Sequence, residues 1–127
     1  MEALARWHHV MEEGDMDALF DLLHPDCVFV SPVVHTPQEG RDITYAYLRA
    51  ANKALSEDFQ YVREVVQDNH AILEFTVMVD GILVNGVDMI TFENDQIIEF
   101  KVMVRPLKAV NAVWKQMGAM LERQKHG

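Results

Sequence analysis

One carboxylate falls within an otherwise apolar pattern and is the clearest candidate for chemistry in the sequence. The dipeptide Asp80-Gly81 is typical of a two-residue hairpin turn between strands rich in Val, Ile and Phe. If Val79 pairs with Ile82 across that turn, Leu73 pairs with Asp88. Because side chains alternate between the two faces of a strand, Asp88 then shares its face with a set of apolar residues. That set is Leu73, Phe75, Val77, Val79, Ile82, Val84, Ile90 and Phe92.

A carboxyl group on such a face has a definite chemistry. Removal from water raises the pKa of an acid, so Asp88 would act as a hydrogen-bond donor or a general acid near neutral pH. Groups with perturbed pKa values are often found at functional sites, which makes Asp88 the leading candidate. Two alternatives remain: a structural aspartate bonded to the backbone or to Trp7, and an error of register that would place Asp88 in solvent.

Two further polar residues are Ser31, in the predicted first strand Cys27–Val34, and His35, which directly follows that strand. Alternation places Ser31, Val33 and His35 on one side of this strand, so His35 could lie at the mouth of a pocket and act as a base. The alternative for His35 is an exposed position in the following loop. Ser31 could equally be a small residue at the floor of the pocket.

Several apolar and aromatic residues, spread over different predicted elements, could line a pocket for an apolar or aromatic ligand. The predicted lining residues are Trp7, Met11, Tyr47, Phe75, Phe100 and Val102. The same residues could form an ordinary core, and the sequence leaves both interpretations open. The 8 methionines of the chain suit an adaptable cavity as well as simple gap filling.

The histidines and the single cysteine do not have the spacing of a metal site. His8-His9, His24, Cys27, His35 and His70 include neither a His-x-x-x-His pair nor two cysteines. Glycine-rich phosphate loops and nucleophile elbows are also missing from the sequence. We therefore predict no metal ion and no cofactor. Of the adjacent His8 and His9, at most one could reach a cavity, because neighbouring residues face different sides of a helix.

Composition limits the classes of partner. The chain has 127 residues and a mass of 14.6 kDa, with 50% hydrophobic residues, which predicts one domain over residues 1–127. Its formal net charge of −9 disfavours binding to nucleic acid or to anionic lipid. Cys27 has no cysteine partner, and residues 1–13 lack the basic and apolar stretches of a signal peptide. Since no apolar run approaches the roughly 18 residues of a membrane span, we predict a cytoplasmic protein.

The order of predicted elements indicates an α+β fold in which helices cover one face of a curved antiparallel sheet. The first helix ends at Gly14, Asp15 caps a second short helix, and Asp42 caps a third. The remaining predicted elements are the strands Phe59–Val66, Ala71–Val79, Ile82–Phe92 and Ile97–Val104 and a final helix, Leu107–Arg123. The inward-facing residues predicted for the last strand are Ile98, Phe100, Val102 and Val104, and those for the last helix are Val110, Val113, Trp114, Met117 and Leu121.

These elements, together with particular residues, resemble the NTF2-like superfamily and specifically its SnoaL-like branch. The resemblance covers nearly the whole chain, and Val102–Leu107 is similar to an uncharacterised group of SnoaL-like proteins. It implies a cone-shaped α+β fold with a pocket between helices and sheet. Known activities of the superfamily include steroid isomerisation, polyketide cyclisation, dehydration and epoxide hydrolysis, whereas other members only bind or scaffold. The remaining landmarks are Glu13–Leu19, Leu23–Asp26, Ser31-Pro32, Gly40-Arg41, Gly86–Asp88 and Ile97–Glu99.

Comparison with the ketosteroid isomerase family assigns roles to three positions. The acid that donates a hydrogen bond to the oxyanion in that family is matched by Asp88. Its tyrosine is matched by Trp7, whose indole N–H donates but does not transfer a proton. Its proton-abstracting carboxylate is matched by Ser31, which is no base without an activating partner. The resemblance therefore implies the fold and the donor of that family without its base.

Two function hypotheses follow. In the first, the chain is a pocket protein for an apolar carbonyl compound, with isomerase- or cyclase-like acid–base chemistry carried by Asp88 and by His35 or a water held by Ser31. In the second, it is a non-catalytic ligand-binding or dimerisation module. Many NTF2-like proteins dimerise through the outer sheet face, so the resemblance implies a homodimer; a solvated face is the alternative. The predicted outward-facing residues are Thr76, Met78, Met89, Glu99, Lys101, Met103 and Arg105.

Overall fold

The computed structural model describes residues 1–126, with side chains described for residues 1–124. Four helices and six strands are found in this part of the chain. The helices are α1 (Glu2–Glu13), α2 (Met16–Leu22), α3 (Arg41–Ala54) and α4 (Leu107–His126). The strands are β1 (Leu23–Val30), β2 (Gln38–Glu39), β3 (Glu57–Gln67), β4 (His70–Val79), β5 (Ile82–Glu93) and β6 (Gln96–Arg105).

The six strands form one curved sheet in the order β2-β1-β6-β5-β4-β3. Strands β3 to β6 form an antiparallel meander, as the short turns between them require. The predicted α+β architecture with a C-terminal helix is confirmed. One pairing differs from the prediction, because β1 runs parallel to β6 and the sheet is therefore mixed. The long connection through α3 and the meander makes this parallel pairing possible.

The register predicted for the β4–β5 hairpin is confirmed. Val79 pairs with Ile82, and the ladder then places Leu73 opposite Asp88. Asp80 and Gly81 have φ values of 55° and 76°, the left-handed conformation that a type I′ hairpin turn needs at both central residues. A two-residue turn allows no slippage, so the face occupied by every later residue of β5 is fixed.

Helix ends follow local chemistry. Gly14 ends α1 in the left-handed conformation with φ 65°, and the Asp15 carboxylate accepts from the amide of Ala18 at 3.0 Å to cap α2, as predicted. The cap predicted for α3 at Asp42 is wrong. The carbonyl of Gly40 already accepts the amide of Thr44 at 3.1 Å, so this helix begins at Arg41 with Gly40 as its N-cap.

The first strand ends earlier than predicted. Its residues are Leu23–Val30, because the Ser31 hydroxyl accepts from the amides of Val33 and Val34 at 3.1 and 3.2 Å and turns the backbone away from the sheet. Pro32 also offers no amide for pairing. The predicted strand face shared by Ser31, Val33 and His35 is therefore not formed.

Helices and the inner sheet face enclose the core. On β6, two residues oppose one on β5 at a bulge: Thr91 pairs with Glu99 and Phe92 with Ile97. Ile97 is thus fully buried, whereas Ile98, the residue predicted to point inward, is only partly buried. On α4 the buried residues are Ala109, Ala112, Val113 and Met117, and Trp114 is 62% exposed, contrary to its predicted inward position. Helices in the described residues are all too short or too polar to cross a membrane.

Candidate functional site

Asp88 lies on the inner face of the sheet at the middle of β5, between Leu73 on β4 and Val102 on β6. The residue is only 6% exposed. Burial raises the pKa of its carboxyl to about 7, and a hydrogen bond from Tyr61 opposes that rise in part. A carboxyl with such a pKa can carry a proton near neutral pH and donate a hydrogen bond.

Two aromatic side chains connect to Asp88 in a hydrogen-bonded chain. The Tyr61 hydroxyl donates to Asp88 Oδ2 at 2.6 Å, and the Trp7 indole N–H donates to the Tyr61 oxygen at 3.0 Å. Desolvation and the neighbouring Asp88 carboxylate raise the pKa of Tyr61 well above its ordinary value. Tyr61 is therefore a neutral phenol throughout the physiological range, and it holds one oxygen of Asp88.

Two adjoining cavities lie between the helices and the sheet. The first, of about 50 Å³, contains Asp88 in its wall together with Trp7 and Asn52. The second, of about 130 Å³, extends to α4, where Trp114 and Met117 contribute to its wall. The two cavities share four lining residues and are therefore adjacent, and Asp88 lies in the wall of the first. The shared residues are Phe29, Ala51, Leu55 and Val102.

The structure brings the predicted lining residues together around this space. Trp7, Met11, Phe75 and Phe100 line the first cavity with Asp88. Ser31 and Tyr47 line the second, and Val102 lines both.

His35 has a different position. It is exposed, in the loop after β1, and it is not part of the lining of either cavity. The shortened first strand is the reason, because the turn at Ser31 directs the chain outward before His35 is reached.

Tyr61 is the site residue that the sequence did not predict. Counted back from the turn at residues 68–69 with a regular ladder, Tyr61 would oppose Thr76 and point outward. The register of β3 shifts between Tyr61 and Arg63, so that Tyr61 opposes Phe75 on the inner face. The extra residue at the shift is Val62, which is 53% exposed. No residue type in the sequence marks this bulge. The one signal is that Phe59 and Tyr61, both aromatic, are two residues apart and therefore face the same side of the strand.

The chemistry of the wall is limited. Among the described lining residues of the two cavities, Asp88 is the sole carboxyl group, and histidine and cysteine are absent. The other polar groups are the Asn52 amide, the Ser31 hydroxyl, the Tyr47 phenol and the indole N–H groups of Trp7 and Trp114. Three or more His, Cys, Asp or Glu side chains do not meet anywhere in the described residues as a metal site would require. The arrangement provides one acid in an apolar space.

The opposite face of the sheet carries a polar ladder beside exposed apolar residues. Asn85 donates to Glu74 at 3.0 Å, Arg63 pairs with Glu74 at 3.4 Å, and Arg105 donates to Asn85 at 3.4 Å. The ladder crosses a shallow groove of about 360 Å³. The apolar side chains that line this groove are Val65, Ile72, Val87, Met103 and Val104.

The chain is similar to one protein family and to solved structures of bacterial proteins. The family profile of the SnoaL-like domain matches residues 4–100. A crystal structure of a steroid delta-isomerase from Pseudomonas aeruginosa is 35% identical, with a TM-score of 0.94 over 99% of this chain and 93% of that chain. An uncharacterised bacterial protein with a cystatin-like fold from Silicibacter pomeroyi is 32% identical, with a TM-score of 0.85 over 92% of this chain and 83% of the other.

A more distant match shows the fold alone. An NTF2-like protein of unknown function from Mesorhizobium loti is 23% identical, with a TM-score of 0.74 over 83% of this chain and 89% of that chain. Among curated protein sequences nothing matches significantly.

Proposed function

The chain belongs to the SnoaL-like domain family, within the NTF2-like fold, and on this basis we propose that it binds an apolar carbonyl compound in the space next to Asp88. Neutral Asp88 donates a hydrogen bond to the carbonyl oxygen, and the aromatic and aliphatic walls hold the hydrocarbon part. The substrate class is a fused-ring ketone, because the first cavity is small and the adjoining second cavity gives further apolar room.

The observation that carries this proposal is the Asp88 carboxyl in an apolar wall. Its Oδ2 accepts from Tyr61, whereas no described side chain bonds Oδ1. Asp88 lines the first cavity, so the unbonded Oδ1 is open to a partner that enters this cavity. The relation to a steroid delta-isomerase supports a carbonyl ligand, since a ketone oxygen is an acceptor for this donor.

In a catalytic form of the proposal, Asp88 stabilises the enolate that forms when a proton leaves the carbon next to the carbonyl. The proton returns at a different carbon, and the double bond shifts into conjugation. A separate group must take up that proton, because Asp88 cannot be the neutral donor and the base in the same step. The described wall offers no second carboxylate, so a water held by Ser31 is the proton acceptor in this form of the proposal.

A second candidate is favoured by that same shortage of bases. With one acid, and with Ser31 where the ketosteroid isomerase family has its carboxylate, the cavity is suited to binding without turnover. The two candidates share the ligand class and differ in whether a β,γ-unsaturated ketone is converted to its conjugated isomer, which ultraviolet absorbance of the enone detects.

Binding is tested with a pair of probes of equal shape. We expect 2-acetylnaphthalene to bind several-fold more tightly than 2-isopropenylnaphthalene, which replaces the carbonyl oxygen by a methylene group, because one hydrogen bond contributes about 1 kcal/mol. Heteronuclear NMR titration of the labelled protein gives both dissociation constants and locates the probes.

The matched variant is Asp88→Leu, which keeps the branched shape of the side chain and replaces both carboxyl oxygens by methyl groups. It should bind the two probes with equal affinity. Equal affinities in the unmodified protein, or chemical-shift changes away from the residues around Asp88, would refute the proposal.

We also propose that the chain forms a homodimer through the outer sheet face. Val65 and Met103, in the groove crossed by the polar ladder, are 54% and 53% exposed. Arg63 and Arg105 place positive charge beside Glu74 there, so a second copy can meet the groove with complementary charges despite the net charge of −9.

A further inference from the structure

We infer that Trp7 and Tyr61 fix the direction in which neutral Asp88 offers its proton, so that the cavity selects ligands with a hydrogen-bond acceptor over ligands with only a donor. This inference rests on the proposed function and adds a rule of ligand selection to it. Trp7 and Tyr61 act here as positioning residues, since they reach the ligand through Asp88.

The direction follows from the chemistry of the three groups. An indole N–H can only donate, so the Tyr61 oxygen must be the acceptor of the 3.0 Å bond from Trp7. Tyr61 then has a single hydrogen, which it directs to Asp88 Oδ2 at 2.6 Å. Oδ2 is therefore an acceptor, and the proton of the neutral acid belongs on Oδ1.

The proton on Oδ1 has one direction available to it. Asp88 lines the first cavity, and none of the described side chains forms a hydrogen bond with Oδ1. Leu73 and Val102, on the neighbouring strands, are apolar. A ligand in the cavity is the natural partner of this O–H group, and an acceptor atom satisfies it. A ligand N–H would meet a second donor, which leaves two buried polar groups without partners.

Other titratable groups near Asp88 do not disturb this direction. On the side of α1 and β3, the His8 ring packs edge-on against Tyr61 with ring centres 5.7 Å apart, and its Nε2 pairs with Glu64 at 2.6 Å. Neither member of this pair forms a hydrogen bond with Asp88. From α3, the polar residue in the cavity wall is Asn52, which is uncharged.

Without the indole N–H, the hydrogen bonds from Trp7 through Tyr61 to Asp88 would no longer have a fixed donor direction. The Tyr61 oxygen would be free to accept the proton of Asp88 through Oδ2, and Oδ1 would then face the cavity as an acceptor. The neutral site would bind donors as well as acceptors. The isosteric replacement of Trp7 by 3-(3-benzothienyl)alanine, which has sulfur in place of N–H, isolates this change without opening a cavity.

The experiment compares two probes of 13 non-hydrogen atoms each: 2-acetylnaphthalene, which only accepts hydrogen bonds, and carbazole, which only donates one. The ratio of their dissociation constants is measured at pH 5.8 and at pH 8.5, on either side of the pKa of Asp88 at about 7. In the unmodified protein the preference for the ketone at pH 5.8 should exceed the preference at pH 8.5 by about fivefold or more. The reason is that Asp88 is ionised at pH 8.5 and then accepts a hydrogen bond from carbazole.

The benzothienylalanine protein, made by nonsense suppression at position 7, should lose this preference at pH 5.8 by a similar factor. Asp88→Asn is the matched control, since its amide oxygen accepts from Tyr61 and its NH₂ group faces the cavity. It should keep the preference for the ketone at both pH values. If the benzothienylalanine protein shows the full preference of the unmodified protein, the role of Trp7 and Tyr61 is overturned while the proposed function stands. If the probes bind Asp88→Leu and the unmodified protein equally, the proposed function itself is overturned.

Discussion

At the scale of the residue, the raised pKa of Asp88 has a consequence for stability. The folded protein holds the proton up to a pKa of about 7, whereas an unfolded aspartate releases it near its ordinary value of 3.8. Between these two values the folded state binds more protons than the unfolded state, so the free energy of unfolding falls as the pH rises. The contribution of Asp88 is complete below about pH 4 and is lost as the pH passes through 7.

Asp88→Asn should remove this dependence, because its side chain is neutral at every pH. We expect the stability of the variant relative to the unmodified protein to increase from pH 5 to pH 8 by about 1 to 3 kcal/mol, since each pH unit of differential protonation corresponds to about 1.4 kcal/mol. Urea unfolding at both pH values measures the difference. A difference that stays constant with pH would mean that Asp88 ionises normally in the folded protein.

At the scale of the element, the hairpin between β4 and β5 could be predicted and the pairing of β3 could not. The turn Asp80-Gly81 has a distinctive sequence and fixes one register, so the inward position of Asp88 follows from counting. The inward position of Tyr61 depends on the bulge at Val62, which has no local signature in the sequence. His35 was misplaced for a related reason, since the turn made by Ser31 ends β1 four residues before the predicted end.

One glycine of β5 is required by packing. A Cβ atom at Gly86 would overlap the ring of Phe75 on the paired strand and lie 2.9 Å from the Met103 carbonyl oxygen. Gly86→Ala should therefore lower the free energy of unfolding by about 1 to 3 kcal/mol, as other overpacked substitutions do.

Gly118→Ala provides the matched control for that prediction. A Cβ atom there meets nothing within 4 Å, and the residue is in α4, so alanine should be neutral or stabilising by about 0.5 to 1 kcal/mol. Thermal or urea unfolding of both variants gives the comparison. A Gly86→Ala protein as stable as the unmodified one would show that Phe75 does not occupy the position described.

For the molecule as a whole, the proposed dimer gives the two faces of the sheet different roles. The inner face holds the cavity and the outer face would meet a second copy. Val65 pairs with Ile72 on the outer face, and its neighbour Val66 pairs with Ala71 on the inner face, although both valines are exposed. Val65→Glu should therefore dissociate the dimer by placing a charge in the interface, whereas Val66→Glu should leave it intact.

Sedimentation velocity tests this prediction directly. We expect about twice the chain mass for the unmodified protein and for Val66→Glu, and the chain mass for Val65→Glu. A monomer in all three cases, or equal effects of the two substitutions, would mean that the outer face is solvated and that the polar ladder of Arg63, Glu74 and Asn85 is a surface feature.

An acid that an apolar wall holds ready to donate to a ligand must titrate well above an ordinary aspartate, so the titration of Asp88 is the decisive measurement. Carbon-detected NMR of the side-chain carboxyl, assigned with Asp88→Asn, follows this group alone through the pH range. We predict a midpoint near 7, because burial disfavours the carboxylate more than the bond from Tyr61 favours it. A midpoint at or below the ordinary aspartate value of 3.8 would contradict the account, because Asp88 would then be a charged, well-solvated or well-paired group at neutral pH.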